Sequence, residues 1–178
     1  NEDTKAISSD ISEMEEMIDG YLAFAAGEGD EAPQELAVDE LLNRLVTQAQ
    51  KSHKFDITLS PVKDEIPAFP MRRNAIQRAF SNIISNAIRY STKTIVAIRM
   101  RNDEVIITFD DNGAGIPQER RADAIRPFIR LEESRNRRTG GAGLGLSITS
   151  DVILSHGGEL TLGDSPLGGL RVAIKLPV

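Results

Sequence analysis

The sequence predicts an α/β domain preceded by a helix that packs elsewhere, and three observations carry that expectation. Helical and alternating apolar patterns are interleaved along most of the chain, as in a layered α/β fold. The first stretch is heptad-spaced and is cut off from the rest by a polar, helix-breaking run. The length, 178 residues, suits one domain with an appendage and is short for two full cores.

Each element follows from its local pattern. Ile7, Ile11, Met14, Ile18, Tyr21 and Ala25 alternate steps of four and three, with Asp10, Glu13, Glu15, Glu16 and Asp19 between them. That is the seam of a helix buried against other helices, the alternative being an amphipathic helix packed on its own domain. The run Gly27-Glu28-Gly29-Asp30-Glu31-Ala32-Pro33 then breaks it. Val38, Leu41, Leu42, Leu45, Val46 and Ala49 fall at helical spacing, and Phe55 to Leu59 alternates as a strand. Pro67 and Pro70 bound a short segment expected at a sheet edge. Residues 71–90 read as a helix with Ile76, Phe80, Ile83, Ile84, Ala87 and Ile88 on its apolar side. Thr94–Met100 and Glu104–Asp110 are β-rich runs joined by the hairpin signal Arg101-Asn102-Asp103. Gly113 to Gly141 has no sustained period and reads as a long, mobile loop. A helix over 143–156 and strands near Glu159–Gly163 and Leu170–Leu176 complete the chain.

Composition excludes several function classes. Cysteine is absent, which removes disulfide frameworks, thiol catalysis and zinc fingers. Only two histidines occur, His53 and His156, so a histidine-rich metal-hydrolase centre is not expected. A net charge of −6 and an aromatic share of 4% disfavour nucleic-acid binding. No apolar run approaches the roughly 18 residues of a membrane span, and the N-terminus has no signal-peptide pattern, so the chain is expected to be soluble.

Three stretches carry chemistry. Gly140-Gly141-Ala142-Gly143-Leu144-Gly145-Leu146 runs into a helix, where glycine backbone and a helix N-terminus favour an anion. No Lys-Ser/Thr pair follows, so it is not a Walker loop, and the long loop before it does not fit a dinucleotide fold. In Asp110-Asp111-Asn112-Gly113-Ala114-Gly115-Ile116-Pro117, alternation places Asp111 on the face of Val105, Ile107 and Phe109. A carboxylate there needs a hydrogen-bond donor, which an adenine amino group or its own turn backbone can supply. Asn82 and Asn86 share one helix face, four residues apart, beside an apolar stripe. An amide oxygen can complete the shell of Mg²⁺ with phosphate and water, and Arg89 can reach a phosphate from the same side. The bland alternative is a hydrogen-bonded core network.

Together these stretches resemble the catalytic, ATP-binding domain of bacterial sensor histidine kinases. That domain belongs to the GHKL superfamily with DNA gyrase B, Hsp90 and MutL. The asparagine helix is similar to the N box, Asp111 to Gly115 to the G1 box, Arg126-Pro127-Phe128-Ile129-Arg130 to the F box, and Gly141 to Leu146 to the G2 box. The likeness covers nearly all of residues 36–178. Within the family it is most like the EnvZ-type osmosensor kinases, on the Asn-Ala-x-Arg-Tyr stretch, the Pro-Phe-x-Arg box and the terminal Leu-Pro-Val.

The resemblance implies a GHKL (Bergerat) two-layer α/β sandwich with a mixed sheet, plus an N-terminal bundle helix. It divides the chain into the second helix of a dimerisation and phosphotransfer hairpin (1–27), a linker (28–36) and the catalytic domain (37–178). It implies ATP and Mg²⁺ as bound groups and transfer of the γ-phosphoryl group to a histidine outside the chain. Asn86 would hold Mg²⁺, Asn82 would support metal or phosphates, and Arg89 would contact phosphate. Tyr90 would line the pocket and Asp111 would read the adenine amino group. Gly113, Gly115 and Ile116 would pass close to the base, and Phe128 and Arg130 would belong to a lid between the boxes. The backbone of Gly141, Ala142, Gly143, Leu144, Gly145 and Leu146 would cover the phosphates. Of the lid arginines Arg120, Arg121, Arg126, Arg135, Arg137 and Arg138, most read as a solvated basic loop.

The chain also departs from the family pattern. Ile125 stands where many members have Phe, and Leu170 where many have Thr or Ser. The phosphoacceptor motif is absent: His53 follows a helix end, and His156 precedes Gly157-Gly158. The implied partners are therefore the phosphoacceptor hairpin of a parent kinase and a cognate response regulator, with no nucleic acid. The parent is expected to be a homodimer through the N-terminal helix, anchored in the inner membrane with this domain cytoplasmic. One rival is a GHKL ATPase, but its members carry a water-activating glutamate at the position of Asn82. A second rival is a nucleotide-binding regulatory module without kinase activity.

Overall fold

Apolar periodicity becomes two packed layers. A computed structural model describes residues 31–127, 129 and 143–178. The expected bundle helix and the sites expected at Phe128, Arg130, Gly141, Ala142, Arg135, Arg137 and Arg138 lie outside these. The elements in order are β1 (Gln34–Leu36), α1 (Val38–His53), β2 (Asp56–Leu59), β3 (Phe69–Met71), α2 (Arg73–Tyr90), β4 (Lys93–Arg101) and β5 (Glu104–Asp111). A 3₁₀ turn (Gln118–Arg120) and the short α3 (Arg121–Ala124) follow, then α4 (Gly145–Ser155), β6 (Glu159–Asp164) and β7 (Leu170–Pro177).

Five strands form one sheet in the order β2-β4-β5-β7-β6. β2 runs parallel to β4 and the other neighbours are antiparallel, so the sheet is mixed as expected. Asn102 and Asp103, with φ of 50° and 60°, form the two-residue turn between β4 and β5, in the left-handed region such hairpins need. Alternation buries Val96 and Ile98 of β4, Val105, Ile107 and Phe109 of β5, and Val172, Ile174 and Leu176 of β7. Against that face lie Ile76, Phe80, Ile83 and Ile84 of α2, and Val152 and Ile153 of α4. Phe80 meets Phe109 ring to ring at 6.0 Å between centroids, tilted by 48°. Burying each such side chain contributes roughly 1.5–3 kcal/mol.

Two expectations about the chain's layout change. The linker ends before residue 36: Gln34–Leu36 pairs antiparallel with Phe69–Met71, and Leu36 is buried in the core. The segment that begins between the prolines pairs at a sheet edge as expected, in a separate two-stranded ribbon. The stretch after Gly113 is not loop throughout, because residues 118–124 wind into a 3₁₀ turn and a helical turn. Arg121 fixes this corner, donating from Nε to the Ile116 carbonyl at 2.9 Å and pairing with Asp164. It is a structural clamp and not a solvated lid charge.

α2 starts unfavourably, on Arg72 and Arg73, with no acid in its first turn and no side-chain cap of its own. Glu31 supplies the missing acceptor from the chain that enters the domain. Its carboxylate takes the backbone N–H of Asn74 at 2.8 Å and of Ala75 at 3.2 Å. His156, at the end of α4, ties the same helix start: Nδ1 faces the Val152 carbonyl at 2.7 Å, and Nε2 accepts from the Arg72 N–H at 3.1 Å.

On the outer sheet face Asp110 and Arg171 are register partners. Their side chains pair through two bonds of 2.6 and 2.8 Å. The hydrogen bond to Asp110 raises the Arg171 pKa above its ordinary value, against a smaller opposing effect of burial. The Asp110 side chain is only 8% exposed, so it depends on this partner. Arg171→Met is expected to destabilise the fold by about 1–3 kcal/mol, less than the roughly 3–5 kcal/mol of a fully buried pair because Arg171 is partly solvated. A urea titration measures this, and an unchanged midpoint would show that the pair contributes nothing.

Candidate functional site

The site is built where the inner sheet face ends and two helices meet. Asp111 closes the apolar row of β5, and its Oδ1 accepts two backbone N–H groups, from Gly113 at 2.8 Å and from Leu170 at 2.9 Å. The Asp111 carbonyl takes a third, from Gly169 at 3.2 Å. These bonds require close approach of three backbones. A Cβ at Gly169 would stand 2.2 Å from Asp111 Oδ1, and one at Gly113 would stand 2.4 Å from the Tyr90 carbonyl oxygen. Asn112 locks the same corner from outside: its Oδ1 accepts the N–H of Thr92 at 3.0 Å and of Lys93 at 2.9 Å. Of the two donors expected for Asp111, the structure shows the backbone one. Its turn backbone satisfies Oδ1, while no protein donor among the described residues reaches Oδ2.

Asp111 lines a narrow cavity of about 20 Å³ with Ile83, Asn86, Ala87, Thr94, Phe109, Leu146, Leu170 and Val172. The walls are apolar apart from one carboxylate, one amide and one hydroxyl. Such a lining suits a flat, largely apolar ligand with a few polar edge atoms.

α2 and α4 are joined at the asparagine pair. Asn82 Nδ2 donates to the Gly145 carbonyl at 3.3 Å. A Cβ at Gly145 would lie 3.7 Å from Asn86 Nδ2. α4 therefore begins against both carboxamides, and it does so with neither a side-chain cap nor an acid in its first turn. Its free N–H groups and positive dipole end fit an anion. Thr149 ties α4 further to α2, donating to the Gly145 carbonyl at 2.7 Å and lying 3.3 Å from the Ala79 carbonyl. Among the described residues no group of three His, Cys, Asp or Glu could hold a metal alone. The donor set fits a hard cation held jointly by the Asn86 amide oxygen and by oxygens of a bound phosphate.

Of the residues expected at the site, the fold gathers Asn86, Asp111 and Leu146 at the cavity, with Asn82 and Gly145 beside them. Gly113 packs on Tyr90 and Asp111, and Gly115, with φ of 70°, packs on Gly169. Leu144 is buried next to Gly143, whose φ is 69°. Ile116 contributes its carbonyl to Arg121 instead of a side chain to the cavity. Arg89 and Tyr90 do not line the cavity; both side chains are exposed at the C-terminal end of α2. Sequence reasoning missed Gly169, the Leu170 N–H and Thr94. The glycine pair at 168–169 signalled the first, and a threonine on the inward row Thr94, Val96, Ile98 signalled the last.

Residues 71–178 match the model of the histidine kinase-, DNA gyrase B- and HSP90-like ATPase family. The sensor histidine kinase CpxA of Escherichia coli K12 is 47% identical over 106 residues, 59% of this chain and 23% of that protein. The chain thus spans about a quarter of that relative's length. Among solved structures, the histidine kinase domain of the E. coli osmosensor EnvZ is 30% identical, with 84% of this chain and 92% of that one covered and a TM-score of 0.60. The ATP-binding domain of PrrB from Mycobacterium tuberculosis is 27% identical over 83% of this chain and 98% of that one, with a TM-score of 0.65.

Gly169→Ala is expected to push Asp111 off its backbone donors. Hydrogen exchange at the Gly113 and Leu170 amides should then rise by about tenfold or more, as the loss of one such bond each implies. Unchanged protection at both amides would contradict the close packing described.

Proposed function

Because the chain belongs to the histidine kinase-, DNA gyrase B- and HSP90-like ATPase family, we propose that it is the ATP-binding catalytic domain of a two-component sensor histidine kinase. It binds ATP with Mg²⁺ and delivers the γ-phosphoryl group to a histidine on a separate segment. The observation that carries this reading is the convergence of Asp111, Asn86 and the uncapped start of α4 on one cavity.

Each group then has a task. Asp111 accepts the adenine amino group on Oδ2, with Oδ1 already committed to backbone. The N-terminus of α4 and its flanking glycines take the phosphates. Asn86 offers its amide oxygen to Mg²⁺, which when bound neutralises phosphate charge. Arg89 and Tyr90, exposed at the end of α2, approach the nucleotide from outside the cavity. Phe128, Arg130, Gly141 and Ala142 are proposed to join them around the phosphates. The transfer forms a P–N bond to the acceptor imidazole as the bridging P–O bond to ADP breaks. A carboxylate beside the acceptor receives the imidazole proton.

Asn82 argues against a hydrolase. An amide cannot deprotonate water, and its Nδ2 is spent on the Gly145 carbonyl. The partners proposed are the phosphoacceptor hairpin of the parent protein and a response regulator, with dimerisation through residues 1–27. The parent is proposed to be anchored in the inner membrane, with this domain in the cytoplasm. Among the described residues no helix is long and apolar enough to cross a membrane.

Asp111→Asn is expected to weaken ATP binding by roughly 1–3 kcal/mol, because an amide places a donor against a donor. Titration calorimetry checks this, and equal affinities would remove Asp111 from the base site. Neither histidine suits phosphoryl acceptance: both ring nitrogens of His156 are hydrogen-bonded, and His53 ends α1 on the surface. The chain alone should therefore bind ATP yet gain no acid-labile phosphohistidine. With an acceptor hairpin supplied in trans it should label that hairpin, and Asn86→Ala should abolish the labelling. Radiolabelled ATP decides, and phosphate on His53 or His156 would overturn the assignment.

A further inference from the structure

A hydroxyl at the floor of the cavity has no task in the mechanism above. Thr94 stands on β4 directly opposite Asp111 on β5. Directly opposed residues hold their Cβ atoms about 4.5–5.5 Å apart on one face. Both line the cavity, and Thr94 is fully buried. It belongs to the inward row Thr94, Val96, Ile98, where a valine would have the same shape and no polar atom to satisfy.

A buried hydroxyl needs a partner. Among the described residues Thr94 has one, Ser91 Oγ at 3.5 Å, at the outer limit for a hydrogen bond. The Ser91 hydroxyl is already committed, donating to the Ala87 carbonyl at 2.7 Å. The proton of Thr94 is thus poorly used, and a hydroxyl rotor can turn it toward the cavity. Leu170, across the cavity, contributes only its N–H and an apolar side chain. Among the described lining residues Thr94 is the side-chain hydroxyl available to a ligand.

We propose that Thr94 is a second base-reading residue. Its hydroxyl donates to the purine ring nitrogen adjacent to the exocyclic amino group that Asp111 accepts. Acceptor and donor side by side match the amino donor and ring-nitrogen acceptor along that edge of adenine. The contact is direct or runs through one water, for which a cavity of about 20 Å³ has room. This assignment rests on the reading of the cavity as an ATP site.

The test titrates the purified chain, Thr94→Val and Thr94→Ser with ATP and with 1-deaza-ATP, which lacks that ring nitrogen. Thr94→Val should bind ATP about three- to tenfold more weakly, the weight of one neutral hydrogen bond. Thr94→Ser, which keeps the hydroxyl, should stay within about twofold of the parent. The parent should discriminate against 1-deaza-ATP, and Thr94→Val should not, so that residue and ring nitrogen form a closed double-mutant cycle. Parent-like ATP affinity in Thr94→Val, or equal discrimination in both, overturns the proposal. Should Thr94→Val fail to fold, the parent still decides, because equal affinity for the two nucleotides overturns it too. Asp111→Asn separates the levels. If it weakens ATP while Thr94→Val does not, only the role of Thr94 falls. If the parent binds no ATP, the site assignment falls with it.

Discussion

The double acceptance of backbone N–H groups by Asp111 Oδ1 is the constraint on which the rest of the site depends. A carboxylate at the end of a buried strand face costs several kcal/mol unless donors meet it. Here the donors come from two directions in sequence, Gly113 just downstream and Leu170 from β7. Together the two contacts stitch the loop after β5 and the start of β7 to one carboxylate. The same geometry commits one oxygen to backbone and leaves the other without a protein donor among the described residues, so the side chain proposed to read a ligand is also a structural one. Gly169 is the enabling residue, since any Cβ there would occupy the place of the carboxylate.

The second organising element is α2. Its middle contributes Phe80, Ile83 and Ile84 to the core, and its second half presents Asn82 and Asn86 to the start of α4. Its own beginning is poor, with two arginines and no cap, and is completed by Glu31, His156 and Ser155 from other parts of the chain. The helix that holds the polar groups is thus fixed at its N-terminal end by residues remote in sequence. Helix propensity plays little part in that placement, as is usual when tertiary packing supplies most helical stability.

The electrostatics are divided between the two sheet faces. Asp110 points outward and is neutralised by Arg171, while its neighbour Asp111 points inward and is met by neutral backbone dipoles. Adjacent carboxylates on opposite faces therefore have different partners and different work. The outer pair holds the register of β5 against β7 at the point where the inner residue must be aligned. The phosphate recognition proposed for this site would, by contrast, fall to an uncapped helix end and carboxamides, which favour an anion without a large local charge.

Much of this was legible in the residues alone. Among the described residues, periodicity gave the longer helices and strands to within a few residues, because burying one face of each leaves a local signature every two or every three to four positions. Asn82, Asn86, Asp111 and the glycine run could be singled out because polar and glycine residues are costly where they stand. Tertiary structure alone decided that Gln34–Leu36 is a strand, since three residues form one only when Phe69–Met71 lies beside them. It alone made Arg121 a clamp, Arg89 and Tyr90 exposed, and Gly169 and Leu170 part of the site. It alone placed Thr94 across from Asp111, a pairing set by strand register. Local pattern records which face a residue takes; which residues meet across that face depends on contacts between segments far apart in the chain.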